Sequence, residues 1–390
     1  MKFKFIRNFI DKICNIEKLE ELQQNYQKDL FDLYLSINAD KKYPFKKMDS
    51  FNGLAVIDGK ESIIKSRNNF FPNLNLVKSN KTNLYGADYY FIKGGAYTKS
   101  RFDIVKNALF YNKPIYTLEL GFLYSATTFV DYSADERFRN SVSLFIDSVV
   151  PYYDARFQSN LERMINDKTI VVTEEQKQRA RRCIDKIVET HLTKYNHQPI
   201  YEPKIGREGV KKVLVVDQSY GDMSIAKGWG SDYTFEKMLQ AAIDENPDAD
   251  IIVKTHPDTM TGKRGGYYTG LKPHDNIYTQ TEPINPISLI KYVDKVYVCT
   301  TQFGFEALMC GKEVHTFGMP FYANWGLTHD LLKCERRTNK RSLEEIFYLA
   351  YIEYSNYINP EKKCRCEIEE AMDYLLKLRE EYWETKNRQN

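Results

Sequence analysis

The chain has 390 residues, a length for two domains rather than one, and 42% of them are hydrophobic, enough for a real core in each. A formal net charge of only +3, with no long basic tract, argues against nucleic acid as a partner. No apolar stretch reaches the ~18 residues that a bilayer span needs, and Arg7, Asp11 and Lys12 interrupt the place where a signal peptide would need apolar residues, so the cytosol is the expected compartment.

Residues 1–45 form an N-terminal segment, helical in pattern, with Phe5, Ile6, Phe9, Ile10, Ile13 and Ile16 on one side and Lys2, Lys4, Arg7 and Lys12 around that stripe. A basic amphipathic helix suits peripheral contact with the inner face of the cytoplasmic membrane. A helix packed on its own domain has the same pattern. Residues 46–200 read as a first Rossmann-like domain, in which strands and helices alternate from 52 to 150. Ala87–Ile92 is a predicted strand ending at Gly94 and Gly95; a helix follows over 99–111 and then a strand over Pro114–Leu118, a βαβ pattern. Residues 173–195 form a charged helix opened by Thr173 with Gln176 three residues on, the spacing of a capping box.

The segment 196–212, with His197, Pro199, Pro203, Gly206 and Gly209, reads as the connector between domains. A second Rossmann-like domain occupies 201–335. Residues 336–390, charged and helical in pattern over 342–385, are expected to pack back toward the first domain. The 29 Tyr and 22 Phe suit sugar or base stacking, and equally suit ordinary packing. Seven cysteines (14, 183, 299, 310, 334, 364, 366) are odd in number and scattered, and Cys364 and Cys366 lack a second pair at zinc spacing. Reduced structural thiols and no metal are expected.

The most informative stretch is 213–257. The apolar run Val213–Val216 leads into Asp217, Gln218, Ser219, Tyr220, Gly221, Asp222, Met223 and Ser224; a second run, Ile251–Val253, ends in Lys254, Thr255, His256 and Pro257. Both runs are short, β-branched and bounded by polar turns, as buried parallel strands are. Ligands of open α/β sheets bind outside the carboxyl ends of the strands. Gln218, Asp222, Lys254 and His256 are therefore expected in one crevice, where a carboxylate facing a His and a Lys suits glycosyl transfer from a phosphate-linked donor. Two α/β domains, a connector and a terminal helical segment match the GT-B architecture, in which the site is the cleft between two Rossmann-like halves.

Several blocks resemble the KpsC-type capsule polysaccharide β-Kdo transferases. Leu118–Ser125 (LELGFLYS) is similar to that family's E-D-G-F-[LI]-R-S, and Ser143–Ala155 (SLFIDSVVPYYDA) to its S-L-V-x-D…Y-Y-D-A. Gln218 to Asp222 keeps Q-x-x-x-D; Lys254–Pro257 (KTHP) resembles K-P-H-P; Thr300–Leu308 (TTQFGFEAL) and Gly318–Thr328 (GMPFYANWGLT) complete the set. The resemblance covers roughly 87–330, in matching order. The tandem capsule enzyme has two such modules, whereas this chain has the length for one.

The resemblance implies a CMP-Kdo donor, no metal or other cofactor, retention of configuration, a β-linked Kdo product, and a glycan or glycolipid acceptor, Kdo-terminated in one version. Retention by double displacement needs a carboxylate nucleophile and a separate acid/base. Asp222 is the expected nucleophile, with Asp217 as the rival; the competing structural reading makes Asp222 a helix cap, in competition with Ser224. Glu119, on the opposite wall, is the expected acid/base, or else a carboxylate paired with a cation. His256 and Lys254 would hold the donor phosphate, with Gln218 and Ser224 nearby. Thr300, Thr301 and Gly304 would open a helix that takes donor oxygens on its N–H groups, a reading compatible with plain capping by Thr; Glu306 would accept from ribose hydroxyls. Gly94, Gly95, Tyr322, Asn324 and Trp325 would shape the acceptor or sugar pocket, with core packing the alternative for Phe321.

The chain departs from the pattern at Leu120, where the family has Asp, and at Tyr124, where it has Arg. A lost Arg removes a bidentate carboxylate partner, which Arg101 or Lys93 would have to replace. Thr255 and Asn324 depart as well. Two other readings are a GT-B transferase using another nucleotide sugar and a non-catalytic capsule-assembly or export module.

Overall fold

In the computed structural model, the described residues are 30–35, 45–58, 70–80, 83–94, 99–128, 131–255, 265–273 and 275–389. Most of the amphipathic N-terminal segment, Gly95 and His256 lie outside them.

The two apolar runs become β6 (Lys212–Val216) and β7 (Asp250–Lys254), every residue of both being buried. They lie side by side and parallel, Val213 opposite Ile251 and Val216 opposite Lys254. Continuous burial on both faces explains why neither run alternates. With β8 (Ile277–Gln280), β9 (Lys295–Val298), β10 (Glu313–Thr316) and β11 (His329–Asp330) they form an all-parallel sheet in the order β11-β10-β9-β6-β7-β8.

The other sheet has seven strands in the order β13-β12-β5-β4-β3-β1-β2. The expected βαβ unit is present as β3 (Tyr89–Lys93), helix α1 (Lys99–Phe110) and β4 (Ile115–Leu120), with β3 parallel to β4. Strands β1 (Gly53–Ile57) and β2 (Leu74–Lys78) extend it in parallel, and β5 (Ser143–Asp147) is antiparallel to β4. Helix α2 (Glu174–Thr190) starts at the expected capping box of Thr173 and Gln176 and ends at His191, whose φ of 58° turns the chain out of the helix.

The structure differs from the sequence expectation over 355–366, where helix gives way to a hairpin. Ser355–Asn359 (β12) is fully buried and pairs antiparallel with β5; Cys364–Cys366 (β13) pairs with β12. Pro360 cannot continue a helix, and the Asn359 side chain accepts from the N–H groups of Glu361 and Lys362, closing the turn. The last helix, Ile368–Gln389, returns along α2 through Arg179–Glu369 at 2.8 Å and Lys186–Asp373 at 2.5 Å. No helix among the described residues is long and apolar enough to cross a membrane.

The halves share one continuous apolar core. Phe122, just past β4, stacks on Phe321 at 4.8 Å and on Tyr351 at 4.5 Å. Two Rossmann-like sheets joined in this way, with the carboxyl ends of β4 and β6 close to the join, make a GT-B-like fold.

Candidate active site

Glu119 is the penultimate residue of β4 and half-buried. Its Oε1 accepts from the Leu120 N–H at 3.0 Å and its Oε2 from the Tyr153 hydroxyl at 3.3 Å. Beside it, Gly94 turns the chain after β3 with φ of 60°, donating to the Leu118 carbonyl at 3.0 Å. A Cβ on Gly94 would stand 3.1 Å from Glu119 Oε2, so glycine here serves both the turn and the space over the carboxylate. Arg101 underpins the same turn: it pairs with Asp58 at 2.7 Å and donates to the carbonyls of Lys93 and Gly94.

From the other half, Asp222 caps the helix α3 (Met223–Lys227), its Oδ1 accepting from the Ser224 N–H at 2.8 Å. The helix-cap reading of Asp222 is thus realised, and a nucleophile here would act through Oδ2. Gln218, Ser224 and Thr300 bind one another: Gln218 Nε2 donates to both hydroxyls at 3.3 and 3.1 Å, and its Oε1 accepts from the Thr300 N–H at 2.9 Å. This knot holds the ends of β6 and β9 together under Asp222. Asp217 accepts from the N–H groups of Gln218, Tyr267 and Tyr268, and burial raises its pKa to about 6. That is a supporting role, as its place directly after the strand suggested.

Lys254 ends β7 with its ammonium 3.4 Å from the Thr255 carbonyl; burial lowers its pKa to about 8, against the pull of Asp217 and Glu306. Glu306, on the short helix α4 (Phe303–Met309), is 4% exposed; burial raises its pKa to about 7, while Gln302, Lys194 and Lys254 hold it down. The side chain of that same Gln302 reaches into the first half, donating to the Phe122 carbonyl at 3.0 Å.

At the start of α4 the Thr301 hydroxyl accepts from the Phe303 N–H and its carbonyl from the Gly304 N–H, so the capping reading, which is compatible with donor binding there, is present. Gly304 answers a packing need, since a Cβ there would meet the Tyr322 hydroxyl at 2.2 Å. One pocket expectation is corrected. Tyr322 and Trp325 line no open pocket: both are fully buried, with Tyr322 donating to the Thr301 carbonyl and Trp325 to the Phe321 carbonyl. Asn324, in the left-handed region at φ 65°, ties its loop to Asp330, Leu332 and Cys334. Large aromatic side chains near a cleft were drawn into the core because that is where their area is best hidden from water.

Two residues that sequence reasoning did not single out join the walls. Lys194 leaves α2 on the connector, and its carbonyl accepts from the N–H groups of Tyr124 and Ser125, which sets it beside the segment after Glu119. Desolvation lowers its pKa, and the carboxylates of Glu119, Asp222 and Glu306 all act to raise it. Tyr153 is held well above its usual pKa by burial, and next by Glu119, Tyr152 and Asp222. The carboxylates of the two halves therefore act on the same two groups. Tyr153 lies within the quoted YYDA block and was available as a signal; Lys194 belongs to no block.

The same block fixes the spacing of the walls. Asp154 takes the Lys227 ammonium at 3.5 Å, and the Ala155 N–H donates to the Lys227 carbonyl at 3.0 Å. The helix capped by Asp222 is pinned at its far end to residues adjoining Tyr153, which holds Glu119.

The profile of a family described as capsule polysaccharide biosynthesis protein matches residues 115–359, a span that contains Glu119, Tyr153, Lys194, Asp222, Lys254 and Glu306. The chain belongs to the capsule polysaccharide biosynthesis protein family. It is 42% identical over 247 residues to the capsule polysaccharide modification protein LipA of Neisseria meningitidis serogroup A, covering 61% of this chain and 35% of LipA. It is 35% identical over 263 residues to the lipopolysaccharide-processing protein LpsZ of Rhizobium meliloti, covering 66% of this chain and 58% of LpsZ. The chain thus spans about a third of LipA. Among solved structures it is similar to the Thermosulfurimonas dismutans KpsC β-Kdo 2,4 transferase, with a TM-score of 0.74 and 34% identity over 85% of this chain and 99% of that one. The β-Kdo 2,7 transferase of the same KpsC matches with a TM-score of 0.60 and 25% identity over 84% of this chain and 99% of that one.

Proposed function

We propose that this chain is a glycosyltransferase of capsule polysaccharide biosynthesis that moves Kdo from CMP-Kdo to a glycan or glycolipid acceptor with retention. The observation that carries the reading is the convergence of Glu119 and Asp222, one from each half, on the same Lys194 and Tyr153, whose hydroxyl donates to Glu119. The likeness to two KpsC β-Kdo transferase modules supports the choice of sugar.

In this mechanism Asp222 Oδ2 attacks the anomeric carbon and the bond to the CMP phosphate breaks. The leaving oxygen's charge is met by Lys254, whose pKa of about 8 keeps it mostly cationic at neutral pH. His256, two residues on in sequence, is assigned to the same phosphate. Glu119 then takes the proton of the acceptor hydroxyl as that oxygen displaces Asp222. Two inversions at one carbon return the original configuration. Tyr153 orients Glu119, and Lys194 balances the charge between two carboxylates that would otherwise repel. Peripheral contact with the inner face of the cytoplasmic membrane, suggested by the basic N-terminal stripe, would bring a lipid-linked acceptor to this cleft.

The decisive experiment incubates the protein with CMP-Kdo and a panel of Kdo-terminated acceptors and determines the anomeric configuration of the product by NMR. A β-Kdo product supports the reading; an α-linked product removes the double displacement. A second reading, another nucleotide sugar, is favoured by Tyr124, which is buried edge-on against Tyr195 at 5.8 Å where the related pattern has Arg. Absence of CMP-Kdo binding together with binding of a UDP sugar would establish that reading instead.

A further inference from the structure

Away from the cleft, the second sheet brings together three side chains that the reaction does not use. Glu313 and His315 alternate on β10, so their side chains leave the same face of the strand. His329, on β11, is the direct register partner of His315. The two imidazole rings stack at 4.7 Å with 23° between their planes. Glu313 Oε1 lies 2.8 Å from His315 Nε2 and 3.7 Å from His329 Nε2, and ligand atoms of all three lie within 4.8 Å of one another. Glu313 opens β10 opposite Lys295, which opens β9, so the group sits toward the end of the sheet where the strands begin, opposite the end that faces the cleft.

We propose that Glu313, His315 and His329 form a binding site for a divalent transition-metal ion of the zinc type. Two imidazoles and a carboxylate are a donor set such ions favour, and three protein ligands leave a fourth position for water. Bonds of ~2.0–2.1 Å in a tetrahedron place donor atoms ~3.3 Å apart, so the 2.8 and 3.7 Å separations need shifts of about half an ångström. His329 is largely exposed and turns with little resistance.

The surroundings support the assignment independently. His315 Nδ1 faces Glu245 Oε2 at 3.5 Å. Without an ion the 2.8 Å contact with Glu313 places a proton on Nε2; an ion would displace that proton, and Glu245 stands where a carboxylate would accept from Nδ1 of the metal-bound ring. Glu245 is itself held by the Tyr297 hydroxyl, and the Tyr297 ring stacks on His315 at 4.5 Å, so ring and carboxylate are both braced. Lys295, 2.9 Å from Glu313 Oε1, opposes a cation and weakens the site relative to the same ligands without it. Bound there, the ion would join the strands before and after residues 317–328, the loop whose Phe321 stacks on Phe122 across the join.

The test uses the whole, tag-free chain, freed of metal with a chelator. Zn2+ is titrated calorimetrically, and Co2+ is titrated by its visible spectrum. One equivalent of each is expected, with the strong absorption of a tetrahedral Co2+ centre and a melting temperature raised by saturating Zn2+. His329→Ala, on an exposed side chain, should weaken binding at least tenfold and remove the thermal effect while leaving the metal-free melting temperature unchanged. Glu313→Gln should weaken binding in the same way. Absence of stoichiometric binding, or equal binding by the wild type and both variants, overturns the proposal.

Discussion

The Tyr153 hydroxyl donates to Glu119 Oε2 at 3.3 Å. The residue after Tyr153, Asp154, holds Lys227 of the opposite half. One tight segment thus touches a carboxylate of the first half and the foot of the helix whose head is Asp222. The distance between the proposed acid/base and the proposed nucleophile is set by a handful of consecutive residues rather than by domain closure alone.

Asp222→Asn separates two roles that share one side chain. Asn caps helices about as well as Asp, so this variant should melt with the wild type. It should lose at least about 10³-fold in turnover, since an amide cannot form the glycosyl ester. Asp222→Ala should lose turnover and also about 1 kcal/mol of stability through the missing cap. Product formation and thermal melts check both, and wild-type turnover in Asp222→Asn would leave Asp222 as a cap only.

Glu119→Gln should lower kcat by about 10²–10⁴-fold, the range for removal of a general acid/base. Tyr153→Phe should cost about tenfold in kcat with KM for the donor little changed, because it loosens the carboxylate without removing it. A Tyr153→Phe enzyme with unchanged kcat would show that the hydroxyl only packs.

The pKa of Lys254, lowered to about 8 by burial, predicts a pH dependence of donor binding. Below that pH the ammonium is charged and holds phosphate; above it the charge is lost. The kcat/KM for the nucleotide donor should fall as pH rises through about 8. In Lys254→Met it should be low throughout and should lack that limb. Rate measurements from pH 6 to 9.5 at subsaturating donor decide the matter.

Glu306 affects stability with a definite sign. Its folded pKa of about 7 lies above the ordinary 4.5, so between those values the folded state binds more protons than the unfolded one. Stability contributed by this group is present below the unfolded value and falls as pH rises through about 7, by roughly 1–3 kcal/mol. Asp217, raised to about 6, acts in the same direction over a narrower range. Urea unfolding at pH 5 and pH 7.5 should show the loss in the wild type and a smaller one in Glu306→Gln.

The strands β6 and β7 were legible because full burial on both faces leaves an uninterrupted apolar run, and the rule for parallel sheets then places Gln218, Asp222 and Lys254 at one end. Lys194 was not legible: its position follows from backbone hydrogen bonds to Tyr124 and Ser125, seventy residues away in the chain. The metal-type cluster was hidden for the same reason, since His315 and His329 meet through strand register rather than spacing. Tyr322 and Trp325 misled because an aromatic residue reads alike in a sugar pocket and in a core, and only burial separates the two. The β12–β13 hairpin was lost among flanking helical segments whose charge pattern dominated the window.

That hairpin gives the module an unusual order of assembly. The strand made near residue 143 waits for a partner made near residue 355, so that edge of the first sheet stays open until the second sheet has been synthesised. A truncation after residue 340 would leave β5 with a raw edge, and cutting out 201–335 as an independent nucleotide-binding unit would sever the chain on both sides. Among the described residues the polypeptide crosses between the lobes twice, so the two halves are tethered at two places rather than one.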